Sequence, residues 1–278
     1  MPPRRLRWYN ALGLLVALVF ALFPIFWMVS TSFKPMSEWS SIPPTWISDN
    51  PTWGNYTPLF ETFKMSYVTA RGAGFRSILD SFICAGSSTL ISLAFGLCAA
   101  IGFARYRAGG ERLALAILAV RVIPPVTIAI PMLFLFGELG LRDTHIGVIL
   151  ANVAFTVPFS FWMLKSFIDE VPVTIEEAGM MDGLSRWRAS FQITVPLIRG
   201  GLFATGLFVF ILNWNEFLIT MTLTDKTVVT IPVYLHHHAG IFGVQAALAT
   251  VSALPIVVLG FLIQRHLARA FTLGAIKR

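Results

Sequence analysis

The sequence predicts an all-α membrane protein in which residues 1–278 form a single transmembrane domain of six helices. Hydrophobic residues make up 56% of the chain and charged residues only 13%. Soluble domains carry about 25% charged residues, so this chain has too few to cover a globular surface in water. The apolar residues are gathered in long runs, without the ten-residue alternation that is typical of an outer-membrane barrel.

Six runs are long enough to cross a bilayer. Each approaches or exceeds the roughly 20 residues that a helix needs to span about 30 Å of hydrocarbon. Lipid offers the backbone no hydrogen-bonding partner, and each run is therefore predicted to be a helix. Residues 1–11 precede the first run, and residues 165–197 form a polar loop between the fourth and fifth. The predicted spans cover residues 12–30, 77–103, 113–136, 146–164, 198–220 and 245–263.

The first span follows Arg4, Arg5 and Arg7, and basic residues before an apolar run also occur in cleaved signal peptides. We favour a retained anchor over a signal peptide. The run is long, no clear A-x-A cleavage site follows it, and the chain goes on to span the membrane again.

The Lys and Arg residues of the loops predict the orientation, because cytoplasmic loops are enriched in both. Fourteen fall on one side, six on the other, and Arg121 lies within a span. The richer side is predicted to be cytoplasmic, with both termini and loop 165–197, so the net charge of +7 indicates topology rather than nucleic-acid binding. The richer side holds Arg4, Arg5, Arg7, Arg105, Arg107, Arg112, Lys165, Arg186, Arg188, Arg199, Arg265, Arg269, Lys277 and Arg278, and the other Lys34, Lys64, Arg71, Arg76, Arg142 and Lys226.

Residues 31–76 connect the first two spans on the other side. Trp46, Trp53 and Tyr56 suit the aromatic belt that forms at a membrane interface. Two interpretations are open: an ordered cap on the helix bundle, which we favour as the sole role, or a landing surface for an extracytoplasmic partner.

Cysteine and histidine predict neither a disulfide nor a metal site. Cys84 and Cys98 are fourteen residues apart in one span, which is about 21 Å on a helix and beyond the reach of a disulfide. Both are predicted to be packing residues. His236, His237 and His238 would point about 100° apart on a helix and do not converge on one ion. We expect them in a solvated outer loop.

The polar loop has the pattern of a short helix. Pro172 follows the fourth span, and Thr174 and Glu177 have the T-x-x-E spacing of a capping box. The pattern predicts a helix over residues 175–182 that Gly183 ends, since glycine readily adopts the left-handed conformation of a C-cap.

A second helix is predicted over residues 186–195, capped by Ser185 and ended by Pro196. The first helix has only about two turns, so it needs a partner to be stable. We expect it to present Glu176 and the two methionines that follow to a groove on that partner.

Four motifs of this chain resemble those of ABC importer permeases, and they occur in the same order along the chain as in that family. The run EAGMMDG at 177–183, nine further residues and IxVP at 193–196 resemble the "EAA" loop, E-A-A-x-x-x-G, nine residues, I-x-L-P. Gly179 and Val195 are the two departures. IPPVTIAIPMLFLFGELGLRDT, WNEFLIT at 214–220 and the ending QRHLARAFTLGAIKR, together with Asp182 and Phe191, are similar to the carbohydrate-importer branch. The chain resembles the smaller, six-span permease of maltose-type importers.

The resemblance implies a permease subunit that forms half of the translocation pathway for a sugar, polyol or related small solute. It implies a bacterial cytoplasmic membrane, a second permease subunit, a dimer of ATP-binding subunits and an extracytoplasmic solute-binding protein. In the family the short helix docks on the ATP-hydrolysing subunit. The residues that this role would involve are Glu176, Glu177, Ala178, Gly179, Met180, Asp182 and Gly183. For Glu177 the alternative is that it only closes its own capping box.

The sequence contains no phosphate-binding loop of the form G-x-x-x-x-G-K-[ST]. ATP and Mg²⁺ are therefore expected on partner chains, and this chain is expected to carry no cofactor and no catalytic residue.

Interrupted spans indicate where a solute would pass. Pro124, Pro125 and Pro131 break the third span, since proline removes a helix hydrogen bond, and broken helices often line a cavity. A kink needed only for packing is the alternative. Polar residues in apolar runs also suit hydroxyl-rich solutes, although hydrogen bonds between helices would explain each of them equally well. These residues are Asn152, Asn213, Asn215 and Glu216.

Arg121 lies about 12 Å inside the third span, where a charge costs about 2.5–3.5 kcal/mol. It could snorkel to the inner surface, pair with a carboxylate of this chain or the second permease, or line the pathway. In each of the last two cases it is functional, which is our prediction.

Two other classes of function remain in view. A secondary transporter or channel would also have six spans and intramembrane polar residues, without needing a cytoplasmic docking helix of this pattern. An intramembrane enzyme would need a nucleophile with its base, or a metal cluster, at the depth of the spans, and the sequence indicates neither.

Overall fold

A computed structural model describes the backbone of residues 8–60, 62–64, 69–71 and 73–275. Side chains are described over the same ranges except at residues 8, 62–64, 69–71, 73, 111 and 262–275. Several residues used for the predicted orientation, among them Arg4, Arg5, Arg7, Lys277 and Arg278, lie outside the described residues, as do the side chains of the C-terminal motif.

The described chain is almost entirely helical, with one short antiparallel hairpin in which Thr62 is opposite Arg71. The elements are α1 (Trp8–Ser32), β1 (Thr62–Lys64), β2 (Thr69–Arg71), α2 (Ala73–Tyr106), α3 (Gly110–Ala119), α4 (Pro125–Glu138), α5 (His145–Asp169), α6 (Val173–Met181), α7 (Arg186–Ala189), α8 (Val195–Leu197), α9 (Arg199–Trp214), α10 (Leu218–Leu223), α11 (Ile231–His237) and α12 (Phe242–Ala275). Short 3₁₀ turns lie at Met36–Glu38, Gly54–Leu59 and Val120–Val122, and a π-helical turn at Ser190–Thr194.

The described residues contain up to six membrane spans. Four single helices are long and apolar enough: Tyr9–Ser32, Gly74–Tyr106, His145–Asp169 and Phe242–Phe261. Two further candidates are bent pairs, Arg112–Val122 with Pro125–Glu138 at 89° and Arg186–Leu197 with Arg199–Trp214 at 76°. The all-α membrane fold is confirmed, and the predicted third span is a broken helix.

The chain divides into two compact units. In the first, formed by residues up to Phe75 and by Tyr234–Leu254, the segment after α1 is ordered by aromatic and amide contacts. Asn55 donates to the carbonyl oxygens of Ser32 and Lys34 at 2.9 and 2.8 Å, which satisfies the end of α1. Phe33 packs against Trp53 with ring centroids 4.9 Å apart. These contacts support the interpretation as a cap, and the landing surface remains a prediction.

The second unit, Arg76–Val233 with Pro255–Arg278, has its core between α2, α5 and α9. Two glycines allow the helices to approach closely. A Cβ at Gly96 would lie 2.5 Å from that of Ser160, and one at Gly201 would lie 2.3 Å from the ring of Phe167. Ile101, one of several fully buried apolar residues, belongs to the cluster that fills the space beside these contacts.

Two predictions about cysteine and histidine need correction. Cys84 is buried as predicted, but Cys98 is exposed on α2, because its helical position faces away from the core. His236 and His237 are the last residues of α11 rather than part of a loop, and His238 is fully buried. A ring nitrogen of His238 lies 2.9 Å from the carbonyl oxygen of Tyr234, one helical turn earlier.

Candidate functional site

The polar loop folds into a short helix, α6, whose start was predicted wrongly. The helix begins at Val173 with Pro172 as its N-cap, so Thr174 lies inside the first turn and does not cap it. Proline suits this position because its fixed φ and missing N–H cost nothing before the first turn. The end was predicted well: Gly183 has a φ of +94° and donates to the carbonyl oxygen of Met180 at 3.0 Å.

The two faces of α6 differ in exposure. Glu177, Ala178 and Asp182 are exposed, and Met181 is 88% exposed. Met180 is half-buried. A flexible thioether and nearby carboxylates thus face away from the protein.

The inner face of α6 contacts the rest of its own motif. Gly179 is buried against Ile193, the isoleucine of IxVP, and a Cβ there would lie 2.4 Å from the Ile193 Cδ1 atom. The two parts of the motif are therefore in contact, and an alanine at this position would require the flexible end of Ile193 to shift.

Glu176 is buried, whereas the sequence predicted it to be exposed. Its side chain is 3% exposed, and its Oε1 atom lies 2.7 Å from the Nε atom of Arg105, whose side chain is 4% exposed. Ser190 donates to Oε2 at 3.3 Å, and Thr194 donates to Oε1. The reason for the error is that Arg105, at the end of α2, supplies a buried cation that the local sequence of the loop does not reveal.

Arg105 also contacts the end of α5. Its Nη2 atom donates to the carbonyl oxygens of Ile168 and Val171 at 3.0 and 2.8 Å. These carbonyls belong to the last turn of α5 and the residues after it, where the helix has no partners of its own for them. One guanidinium group therefore joins the ends of α2 and α5 to α6.

The second predicted helix of the loop is interrupted. Ser185 is its N-cap residue but makes no capping hydrogen bond, and α7 passes into the π-turn Ser190–Thr194. The chain continues helically through Pro196 and bends only at Ile198. The π-turn places the hydroxyl groups of its first and last residues on the Glu176 carboxylate.

The break in the third span lies at Pro124–Pro125, as predicted. Pro124 is extended, with ψ at 133°, and α4 starts at Pro125. Pro131 lies inside α4 and does not interrupt it, which corrects that part of the prediction. Arg121 is exposed in the 3₁₀ turn before the break, and its Cζ atom lies 5.0 Å from the centroid of the Phe159 ring. This is a cation–π contact.

The four predicted polar residues of the pathway differ in burial and in their hydrogen-bond partners, and their role in the pathway stays a prediction. Asn152 and Asn213 are buried, and Asn213 donates to the Thr89 hydroxyl at 3.3 Å, a bond between helices. Asn215 is exposed and donates to Ile211 at 2.8 Å. Glu216 accepts from the backbone N–H groups at the start of α10, at 2.7 and 2.9 Å, so it caps that helix.

At the opposite end of the second unit, Asp143 binds backbone groups of a loop, a role that the sequence did not predict. Its carboxylate accepts four backbone N–H groups, from residues 225–228, at 2.9–3.2 Å. Burial alone raises the pKa of Asp143, but the four N–H groups together outweigh it and lower the pKa to about 2. The isolated charges around the start of α5 in LRDTH were the available signal.

Asp80 holds the next residues of the same loop. It is buried at the start of α2, with one carboxylate oxygen 2.8 Å from the Nε2 atom of His145 and the other accepting the Val229 N–H at 3.1 Å. Arg76 donates to the Thr227 carbonyl oxygen at 3.1 Å. Side chains near the N-terminal ends of α2 and α5 thus fix the loop between α10 and α11.

Comparisons with known proteins show the family to which this chain belongs. The family model for the binding-protein-dependent transport system inner membrane component matches residues 92–273. The probable ABC transporter permease protein y4oR of Sinorhizobium fredii is 34% identical over 92% of this chain and 90% of its own length. The trehalose transport system permease protein SugB of Mycobacterium tuberculosis is 32% identical over 100% of both.

A solved structure shows the same fold. It is a chain of a bacterial ABC transporter involved in the import of the acidic polysaccharide alginate, and it superposes with a TM-score of 0.73. The superposition covers 93% of this chain and 95% of that chain at 18% sequence identity.

Proposed function

Because this chain belongs to the family of binding-protein-dependent transport system inner membrane components, we propose that it imports a sugar or a related polyhydroxyl solute. ATP hydrolysis on a partner subunit would drive this import through a contact with α6. As a member of this family it is a permease subunit of an ABC importer in the inner membrane, and a transport subunit rather than an enzyme. It works with a second permease subunit, ATP-hydrolysing subunits and a solute-binding protein.

The class of solute is supported by the relatives. SugB is named as a trehalose transport permease, and its 32% identity extends over the whole length of both chains. A sugar, polyol or similar solute would be carried between this chain and the second permease, each forming half of the pathway. ATP and Mg²⁺ would be bound by the partner ATPase subunits.

The proposed contact with the ATPase rests on one observation: α6 buries Glu176 in its own protein and leaves Glu177 and Met181 outside. A two-turn helix held from behind offers a fixed surface, with a flexible apolar side chain beside a charge, to a groove. We assign the exposed face of α6, with Ala178, Met180 and Asp182, to docking. Gly179 packs the inner face of α6 against Ile193, and Gly183 forms the turn that ends the helix.

Charge reversal on that face tests the proposal. Glu177→Lys should reach the membrane but abolish uptake, and the assembled complex should lose the stimulation of ATP hydrolysis by solute-loaded binding protein. Glu170→Lys is the matched control, because Glu170 is also exposed but lies before α6 as the C-cap of α5. Normal uptake by the Glu177 variant would rule out docking through this face.

Gly183→Pro tests the same face through the backbone. Proline requires a φ near −65°, whereas Gly183 has +94°, so the turn that ends α6 cannot form. Uptake should be lost while the permease pair still accumulates in the membrane. Uptake at the wild-type rate would contradict the role of this turn.

The orientation is proposed from the fourteen-to-six distribution of basic residues. Ser185, which is exposed just after α6, should be cytoplasmic, and Asn50, in the segment after α1, should be outside. Cysteines placed at the two positions should react with an impermeant maleimide from opposite sides of the membrane. Labelling of Ser185→Cys from outside would overturn both the orientation and the docking surface.

A further inference from the structure

We propose that Arg105 is a positioning residue, which transmits the movement of α6 to the ends of α2 and α5 through its buried bond to Glu176. The inference rests on the proposed function, because it assumes that α6 receives the movement of the ATPase. It adds the path by which that movement leaves the helix.

The Arg105–Glu176 bond connects two helices that are far apart in the sequence. Arg105 is on α2 and Glu176 on α6, with 71 residues between them in sequence and 2.7 Å between their atoms. The same guanidinium group donates to the two carbonyl oxygens at the end of α5. Planar guanidinium groups hold several acceptors in fixed directions, which a lysine ammonium does not.

A second layer of contacts fixes the Arg105–Glu176 bond in place. Arg186 donates to the carbonyl oxygen of Arg105 at 2.5 Å, and its Cζ atom lies 4.6 Å from the centroid of the Tyr106 ring. Tyr106 in turn stacks on Trp187 at 5.4 Å. These contacts hold Arg105, and Ser190 and Thr194 hold Glu176, so a displacement of α6 reaches α2 and α5 directly.

Gly179, on the inner face of α6, makes an apolar contact. Gly179 packs against the flexible end of Ile193, which belongs to the same loop. That contact lies within the loop, whereas the Arg105–Glu176 bond connects α6 to two helices that are long enough to span the membrane. Removing the charge of Glu176 should therefore leave the docking of α6 on the ATPase intact and reduce the transport that follows from it.

The test uses the reconstituted complex and measures solute imported per ATP hydrolysed. Glu176→Gln keeps the size of the side chain and removes its charge, and we expect the ratio to fall at least about fivefold, the lower range of coupling between sites. Arg105→Lys keeps the charge without the fork and should retain an intermediate ratio. Lys165→Gln is the control, since its bond to Asp169 is at the same end but exposed.

A double variant separates transmission from folding. Arg105→Met with Glu176→Met replaces the buried ion pair by apolar side chains, which often restores stability, but it cannot restore the bonds to the α5 carbonyls. We expect normal accumulation in the membrane with a ratio as low as that of Glu176→Gln. Recovery of the ratio together with accumulation would show that the pair only folds the loop and would overturn the proposal. This double variant also decides the matter if Glu176→Gln fails to accumulate.

A distance measurement keeps this inference separate from the proposed function. Spin labels on the exposed Cys98 of α2 and on Val173→Cys, 47% exposed in α6, report how firmly the two helices are joined. The distance distribution should be narrow in the wild-type complex and broad in Glu176→Gln. If Glu177→Lys transports normally and Glu176→Gln still broadens the distribution, docking through the exposed face of α6 is ruled out, but the connection through Arg105 and Glu176 is supported. An equally narrow distribution in both proteins would overturn that connection.

Discussion

The two ends of the second unit are both held by carboxylates, but in different ways. At one end Glu176 is buried and paired with Arg105, whose guanidinium group also bonds to the end of α5, so the pair connects three helices. At the other end Asp143 is partly exposed and accepts four backbone N–H groups of one loop, so its charge braces irregular backbone. A carboxylate therefore connects separate helices where it pairs with a side chain of another helix. It stabilises irregular backbone where it accepts N–H groups that lack backbone partners.

The largest effect on stability is expected at the Glu176 end. Glu176→Gln leaves the buried Arg105 without a compensating charge, which costs about 3–5 kcal/mol when a buried pair is broken. Thermal unfolding of the purified permease pair should therefore shift strongly. Lys165→Gln, which breaks the exposed pair with Asp169, should change stability by less than about 1 kcal/mol. Equal changes in the unfolding temperature of the two variants would contradict the difference expected between a buried and an exposed ion pair.

A smaller effect is expected at the Asp143 end. Asp143→Asn replaces one acceptor oxygen by a donor, so two of the four N–H groups lose their partner. Unpaired groups of this kind cost about 1–3 kcal/mol each when buried, and less here because the loop is partly exposed. Hydrogen exchange should accelerate at residues 225–228 and remain unchanged in α6. Faster exchange in α6 as well would contradict the independence of the two ends.

The Asp143 end should also be the acid-sensitive one. The pKa of Asp143 is lowered from 3.8 to about 2, so its charge stabilises the folded loop above the unfolded pKa. That contribution should be lost as the pH falls from about 4 to about 2. Hydrogen exchange of the loop, corrected for the intrinsic effect of pH, would report this loss. It should be absent in Asp143→Asn, and the same pH dependence in that variant would assign the effect to another group.

Arg121 should have the smallest effect on stability and a large effect on transport. It is exposed at the break between α3 and α4 and rests on the Phe159 ring, in contrast to the buried Arg105. Arg121→Leu should leave the unfolding temperature almost unchanged, because the Arg121 guanidinium group contacts the Phe159 ring and is not buried in an ion pair as that of Arg105 is. Uptake should fall severely, and Arg121→Lys should recover part of it. Wild-type uptake by the Leu variant would make Arg121 a bystander.

The sequence predicted the parts of the fold that depend on local chemistry. Apolar runs of sufficient length gave the spans, the pair Pro124–Pro125 gave the break in the third, and Gly183 gave the end of α6. Each of these depends on properties that a residue carries with it, such as hydropathy, a missing N–H or freedom at positive φ.

Some of what the sequence did not predict depends on residues that are distant along the chain, and some depends on a competing local signal. Glu176 looked exposed because its buried cation, Arg105, is 71 residues away. Thr174 matched a capping box, but Pro172 had already started the helix. Asn213 donates to a hydroxyl on α2, which is the bond between helices that the sequence left open as the alternative, and Glu216 accepts an N–H of the first turn of α10. Their contact with a solute stays a prediction. Polarity within an apolar run indicates that a partner exists, not which one.

The most direct test of the whole account is solute flux in proteoliposomes, with this chain, the second permease, the ATPase subunits and the binding protein reconstituted together. Loaded binding protein and ATP should drive uptake, and omitting the ATPase subunits should reduce it to the leak of empty liposomes. Flux that persists without the ATPase subunits, or that this chain alone supports, would contradict the account and identify a channel or secondary transporter instead.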